Sequence, residues 1–115
     1  MIKQGEIYLV DFGMRYNSKI GKIRPAVVMQ NNFFNKAIES NVYKQVLVVP
    51  LSTLPIQDDY RIFLKARDNL KKDSYMIANW ICTLDFEHIL VDKGLIARLS
   101  EEEIELLKQR VCNLM

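Results

Sequence analysis

At 115 residues, half of them hydrophobic and 26% charged, the chain has the composition of one globular domain rather than of a disordered segment. Its formal net charge of +2 excludes nucleic-acid binding through bulk charge, so any such site requires a local basic patch. The longest apolar runs are strand-sized and the first residues carry no signal-peptide pattern, so we expect no membrane segment and one cytoplasmic domain spanning residues 1–115.

The first half of the sequence predicts strands separated by loops. Residues 6–12 are rich in β-branched and aromatic side chains and are followed by Gly13, whereas residues 14–22 are polar and basic, as expected of a loop. Residues 24–30 predict a second strand. Pro25 should lie at the start of that strand or on an edge, because proline cannot donate a ladder hydrogen bond.

The middle of the chain contains the most continuous apolar stretch. Before it, the asparagine-punctuated segment 31–41 predicts a turn with at most one helical turn. Residues 45–51 are almost all apolar, which is typical of a strand that is buried on both faces. Prolines on either side of the following residues place the end of this strand near Ser52.

The next segments alternate between strands and turns. Polar and apolar residues alternate at 59–65, which predicts a half-exposed strand, and a charged turn follows at 67–73. A further strand region is predicted at 74–84, then a helical turn at 85–91 and a short final strand at 94–99.

The end of the chain carries a clear helix signal. Ser100 and Glu103 have the spacing of a capping box, and the acids of the first turn suit the helix dipole. Apolar residues then recur at spacings of three and four, which predicts one stripe packed on the rest of the domain. The expected fold is therefore mainly β: five or more antiparallel strands curl into a small barrel that a C-terminal helix closes.

The usual catalytic inventory is sparse. His88 is the one histidine, and a lone histidine in a mixed segment is more often a surface or packing residue than a catalytic one. Cys82 and Cys112 form no metal-binding pattern, so we expect two reduced thiols, no metal and no cofactor. No sequence motif recommends a serine–histidine–aspartate triad.

Two features have a possible chemical use. A basic loop with Lys19 and Lys22 leads into Arg24 at the start of a strand, where the guanidinium could be held in place. Ser52 and Thr53 follow the buried strand. Composition alone favours the simpler alternative for both features: a solvated basic loop, and hydroxyls that stabilise a turn by bonding to nearby backbone.

Five short motifs, taken together, are similar to those of the MazF/PemK toxins. Each is weak alone, but they follow the family's order and approximate spacing over essentially the whole chain. They are GEIYLV at 5–10, RPAVV at 24–28 with QNN after it, VVPLST at 48–53, DS at 73–74 and TLD at 83–85.

The resemblance implies a fold, an activity and partners. It implies a curled SH3-like CcdB/PemK barrel, a homodimer, and an antitoxin that occupies the RNA groove. It further implies metal-independent cleavage of single-stranded RNA, in which the 2′-hydroxyl attacks the adjacent phosphate and leaves a 2′,3′-cyclic phosphate and a 5′-hydroxyl. Arg24 matches the family's catalytic arginine, and Ser52 matches its catalytic hydroxyl, which is more often threonine. Thr53 is the alternative hydroxyl.

The sequence also departs from the family pattern. Some members carry an arginine and an aspartate at the places of Ile77 and Asn79, and the family's loop acid is replaced by Lys19. We expect Lys19 and Lys22 to bind phosphates nonspecifically, and Asn79 and Thr53 to contact RNA. Trp80 could stack an unpaired base, although a core or dimer-interface tryptophan is at least as common.

Two other functions remain open at this point. CcdB-like toxins use the same fold to bind DNA gyrase without an enzymatic site, and the lost strand charges are compatible with such a binder. The second alternative is a catalytically impaired relative that binds RNA without turnover. The retained arginine–proline and hydroxyl motifs favour the ribonuclease.

Overall fold

The computed structural model describes residues 1–13, 23–40, 44–55 and 58–115. These residues form seven strands, two α-helices and three short 3₁₀ turns, which lie between β5 and β7. The elements are β1 (Glu6–Asp11), β2 (Ile23–Val28), α1 (Asn32–Glu39), β3 (Gln45–Ser52), β4 (Arg61–Leu64), β5 (Ser74–Ile77), β6 (Cys82–Asp85), β7 (Ala97–Arg98) and α2 (Glu101–Cys112).

The strands form one curled antiparallel sheet in the order β4-β5-β3-β2-β1-β7, with β6 also paired to β3. β3 is the central strand because it pairs with three others. Its first half, Gln45–Val48, pairs with β6, its end at Leu51 and Ser52 pairs with β5, and its other edge pairs with β2. This change of partner along β3 bends the sheet and confirms the predicted small barrel-like, mainly β fold with a C-terminal helix.

The predicted strands form with small shifts at their ends. Pro25 lies near the start of β2, before the pairing with β3 begins at Ala26, as expected of a residue without an N–H donor. Alternate residues of each central strand then enter two hydrophobic clusters: Ile7 and Val27 belong to the first cluster, and Tyr8 and Val28 to the second. The sheet is therefore covered on both faces, as the apolar run of β3 indicated.

The segment predicted as a turn with at most one helical turn is an eight-residue helix, α1, and that prediction is wrong. Asn31 acts as its N-cap: the side chain accepts a hydrogen bond from the N–H of Phe34 at 3.0 Å. The buried Asn35 donates to the carbonyl of Gln30 at 2.9 Å, and Ile38 packs into the second cluster. Of the asparagines that suggested a turn, Asn31 therefore caps the helix and Asn35 forms a buried hydrogen bond to the residue before the cap.

The predicted strand region 74–84 is also corrected. It is two strands, β5 and β6, separated by the 3₁₀ turn Ala78–Trp80. The N–H of Ala78 donates to the carbonyl of Tyr60 at 2.9 Å, a tertiary contact that ends the ladder between β4 and β5. Because of this break, the segment contributes two strands, β5 and β6, which pair with different parts of β3. The helical turn predicted at 85–91 is confirmed as a 3₁₀ turn at Phe86–His88.

The C-terminal helix α2 begins at the predicted capping box. Ser100 accepts from the N–H of Glu103, and the Glu103 carboxylate accepts from the N–H of Ser100. Ile104 and Leu107 pack into the first cluster, where Ile104 lies against Gly5. Gly5 has φ +92°, and a Cβ there would stand 2.6 Å from Ile104 Cδ1, so glycine permits this close approach. Within the described residues, no helix is both long and apolar enough to cross a membrane.

Candidate active-site groove

A groove of about 1000 Å³ opens at one end of the curled sheet. Its apolar lining continues the sheet surface: Leu9 of β1 faces Pro25 of β2 across the ladder, and Leu51 of β3 lies beside them. Polar side chains from five segments line the rest of the groove. They are Arg24, Ser52, Thr53, Arg61, Asn69, Lys71, Lys72 and Ser74.

Arg24 and Ser52 lie near the ends of neighbouring strands. The pairing of β2 with β3 ends at Ala26 and Pro50, and each of the two residues lies two positions beyond that last pair. Both line the groove. Arg24 is half-buried, and this desolvation lowers its pKa below the ordinary value of an arginine. A guanidinium with a lowered pKa is still a cation at neutral pH.

The hydroxyl of Ser52 has the local role that the simpler alternative predicted. It accepts a hydrogen bond from the backbone N–H of Leu54 at 3.2 Å, which is a turn-stabilising contact at the strand end. That contact fixes the oxygen in place and uses only an acceptor site, because the hydroxyl keeps its own proton for donation. Thr53 is exposed and lines the same groove, so a second hydroxyl is available beside it.

Trp80 forms part of the groove wall and adjoins two cations. The guanidinium carbons of Arg24 and Arg61 lie 6.0 Å and 5.6 Å from the centroid of the indole ring. The ring is half-buried and also packs against the second cluster. These distances are those of cation–π contacts. The indole therefore holds two arginine heads near one another, a use that the sequence did not suggest.

Arg61 was not predicted to be a functional residue. In the alternating segment 59–65, Ile62 and Leu64 are buried and Phe63 is exposed, as the pattern predicts. By the same alternation the Arg61 side chain should be exposed, yet it is only 8% exposed. Its Nε donates to the Asp58 carboxylate at 3.3 Å. No local sequence pattern predicts the contact between Arg61 and the indole, because Trp80 belongs to a different segment of the chain.

The charges along the groove are of one sign. Arg24, Arg61, Lys71 and Lys72 line it, and among the described lining residues there is no carboxylate and no histidine. The two lysines were predicted only as part of a charged turn. Because the chain as a whole carries 16 basic and 14 acidic residues, this grouping supplies the local basic patch that the net charge of +2 required.

The remaining candidate residues from the sequence either do not line the groove or lie outside the described residues. Asn79 is exposed and is not among the groove-lining residues, so no groove contact supports its predicted role. Lys19 and Lys22 lie outside the described residues, and their predicted phosphate contacts stay predictions. His88 is half-buried in the 3₁₀ turn after β6 and does not line the groove.

Comparison with known proteins shows which family the chain resembles. The family model described as "PemK-like, MazF-like toxin of type II toxin-antitoxin system" matches residues 3–115. The chain belongs to this toxin family. Because the match covers nearly the whole chain, it includes every residue of the groove. The MazF/PemK resemblance inferred from five short motifs is thereby confirmed.

Several solved structures have the same fold as this MazF-like chain. MazF from Deinococcus radiodurans superposes with a TM-score of 0.75 at 14% identity, over 98% of this chain and 94% of that one. An endoribonuclease in complex with its cognate antitoxin from a mycobacterial species gives 0.73 at 18% identity, over 98% and 93%. The Mycobacterium tuberculosis toxin MazF-mt6 gives 0.71 at 15% identity, over 94% and 93%. At these identities the likeness shows the fold.

Proposed function

We propose that this MazF-like chain is a metal-independent endoribonuclease toxin that cleaves single-stranded RNA. The observation that carries the proposal is the placement of Arg24 and Ser52 in one groove whose described charged residues are all cations. A phosphodiester backbone is the polyanion that such a groove suits, and the groove's apolar lining accommodates unstacked bases. The family match and the endoribonucleases with the same fold support the same activity.

The proposed reaction is a transesterification at phosphorus. The 2′-oxygen of one nucleotide bonds to the adjacent phosphorus and loses its proton, while the bond to the 5′-oxygen breaks and that oxygen gains a proton. The products are a 2′,3′-cyclic phosphate and a 5′-hydroxyl. Arg24 would donate to the phosphoryl oxygens as negative charge accumulates, a contribution worth about 3–4 kcal/mol of barrier. Ser52 would donate to the same phosphate from its fixed position.

We further propose that the toxin acts in the cytoplasm as a homodimer and is held inactive by a cognate antitoxin. The matched chains of the MazE–MazF structure from Deinococcus radiodurans and of the mycobacterial endoribonuclease in complex with its cognate antitoxin have this fold. An antitoxin segment that carries carboxylates would compete with RNA for the cationic groove, because both ligands would pair with the same guanidinium and ammonium groups.

The direct test is cleavage of single-stranded RNA in EDTA, with the 5′ ends of the fragments sequenced. We expect discrete cuts that leave 5′-hydroxyl ends. Arg24→Ala should slow cleavage by roughly 100-fold or more, because it removes a charged donor from the transition state. Arg98→Gln is the matched control: this arginine lies on β7, its side chain is 66% exposed, and it is not among the groove-lining residues, although it pairs with Glu6 at 3.3 Å, so the folding of the variant is checked by circular dichroism.

Two outcomes would contradict the proposal. One is intact RNA after long incubation with the folded wild-type protein. The other is an Arg24→Ala variant that cleaves as fast as Arg98→Gln. A DNA gyrase supercoiling assay on the same samples would then test the CcdB-like alternative.

A further inference from the structure

The Arg61 guanidinium is poorly satisfied for a buried cation. Its side chain is 8% exposed, and Nη1 is buried with no hydrogen-bond partner among the described residues. The Asp58 carboxylate engages only Nε, at 3.3 Å, and is itself 40% exposed. A buried donor without an acceptor is costly and rare in folded proteins, so such a group calls for an explanation, and a ligand that supplies the acceptor is one.

Arg61 lies in the wall of the same groove as Arg24. Arg61 lines the groove together with Arg24, and both guanidinium carbons lie within 6.0 Å of the Trp80 ring centroid. The carboxylate of Asp58 anchors one edge of the fork from the turn before β4. A guanidinium held at one edge, with further N–H groups in want of an acceptor, is arranged to bind an oxyanion.

We propose that Arg61 is a second phosphate-binding residue of the groove, which pairs with a backbone phosphate of the RNA while Arg24 acts on the scissile one. This inference rests on the proposed function for the identity of the ligand. Asp58 and Trp80 are the positioning residues for this contact, because the first holds Nε and the second flanks the guanidinium. The alternative is a purely structural arginine that fixes Trp80 in place.

A binding measurement distinguishes these two roles. A fluorescently labelled RNA with 2′-O-methyl riboses cannot be cut by 2′-hydroxyl attack, so its anisotropy reports affinity alone. We expect Arg61→Gln to weaken binding about tenfold, as loss of a hydrogen bond between charged groups does. The slope of log affinity against log salt should fall by about 0.7, the value for one phosphate contact on a single strand. Arg98→Gln, the matched control, should change neither quantity.

A substrate modification tests the contact itself. Each phosphate of the RNA is replaced in turn by an uncharged methylphosphonate, and Arg61→Gln and Arg61→Lys are compared with the wild type. At one position the neutral linkage should weaken wild-type binding and abolish the difference between wild type and variants. Arg61→Lys keeps the charge beside Asp58 and Trp80, so this readout survives even if Arg61→Gln folds poorly.

The inference is overturned if both folded variants bind the RNA with wild-type affinity and salt slope. It is equally overturned if every methylphosphonate position preserves the full difference between variant and wild type. Cleavage of ordinary RNA is measured in parallel. Wild-type protein that binds through Arg61 without cutting would refute the nuclease, and wild-type protein that cuts without using Arg61 would refute this inference alone.

Discussion

The chemistry of the groove depends on a few side chains whose surroundings differ from those of ordinary surface residues. Arg24 is a half-buried cation with a pKa lowered by desolvation, and Ser52 is a hydroxyl fixed by the N–H of Leu54. Neither is an acid or a base near neutral pH. In the proposed reaction both would donate hydrogen bonds to negative charge, so catalysis would depend mainly on electrostatic stabilisation of the phosphoryl oxygens.

This assignment predicts the pH dependence of cleavage. The described lining has no carboxylate or imidazole, and residues 14–22, 41–43 and 56–57 contain none in sequence either. Arg24 stays charged although burial lowers its pKa below the ordinary value of an arginine. The single-turnover rate should therefore rise with pH between about 5 and 8 without an inflection, as the 2′-hydroxyl loses its proton to solvent. A bell-shaped profile over this range would instead indicate that the reaction uses a general acid and a general base of the protein.

Two elements determine where the groove residues lie. β3 carries Ser52 at its end and changes partner from β6 to β5, and the 3₁₀ turn between those strands presents Trp80 to the groove. A separate ion pair holds the start of helix α2. Arg67 donates to both carboxylate oxygens of Glu103, at 2.6 Å and 2.7 Å, so the capping residue also ties the loop before β5 to the helix start.

The Arg67–Glu103 pair predicts a pH-dependent contribution to stability. The hydrogen bonds from Arg67 hold the pKa of Glu103 below its ordinary value. The folded state thus favours the carboxylate, and its stabilisation is present above the unfolded pKa of about 4.3 and lost as pH falls through the folded pKa. Glu103→Gln keeps the capping geometry without the charge, so it should lower the free energy of unfolding by about 1 kcal/mol at pH 7.

Urea denaturation followed by circular dichroism at pH 7 and at pH 3 measures this effect. The difference between wild type and Glu103→Gln should shrink at pH 3, because the stabilisation by the carboxylate decreases once the pH is below the pKa of Glu103 in the unfolded chain. Glu102→Gln, an exposed neighbour in the same helical turn, is the control. An equal loss at both pH values would mean that the ion pair contributes nothing and the substitution acts through packing.

At the scale of the whole molecule, the distribution of charge matters more than its total. Sixteen basic and 14 acidic residues nearly cancel, yet Arg24, Arg61, Lys71 and Lys72 share one groove. These cations converge from β2, β4 and the segment before β5, and β2 is far from the other two in sequence. A cleft lined by one sign of charge concentrates an oppositely charged ligand, and this effect weakens as ionic strength rises.

The fold was predictable where its signals are local, and the groove only in part. The β-branched and aromatic residues at 6–12 predicted β1, the alternation at 59–65 predicted β4, and the capping box of Ser100 predicted α2. The break at Ala78–Trp80 was not predictable, because no glycine or proline marks it in the sequence.

The same distinction between local and tertiary signals applies to the groove residues. Arg24, Ser52 and Trp80 were recognisable from motifs and residue type, and the structure places all three in the groove. The burial of Arg61 and the convergence of Lys71 and Lys72 depend on tertiary packing, for which the sequence carries no periodic pattern.

The central claim, that Arg24 and Ser52 act on the same phosphodiester, is tested most directly by a double-mutant cycle in single-turnover RNA cleavage. Arg24→Lys and Ser52→Ala should each slow the chemical step by roughly 100-fold, and the double variant should be hardly slower than either, since both donors stabilise one transition state. Thr83→Ala, which removes an exposed hydroxyl on β6, should keep the wild-type rate. Effects that simply multiply, or a Ser52→Ala variant as fast as Thr83→Ala, would contradict the account.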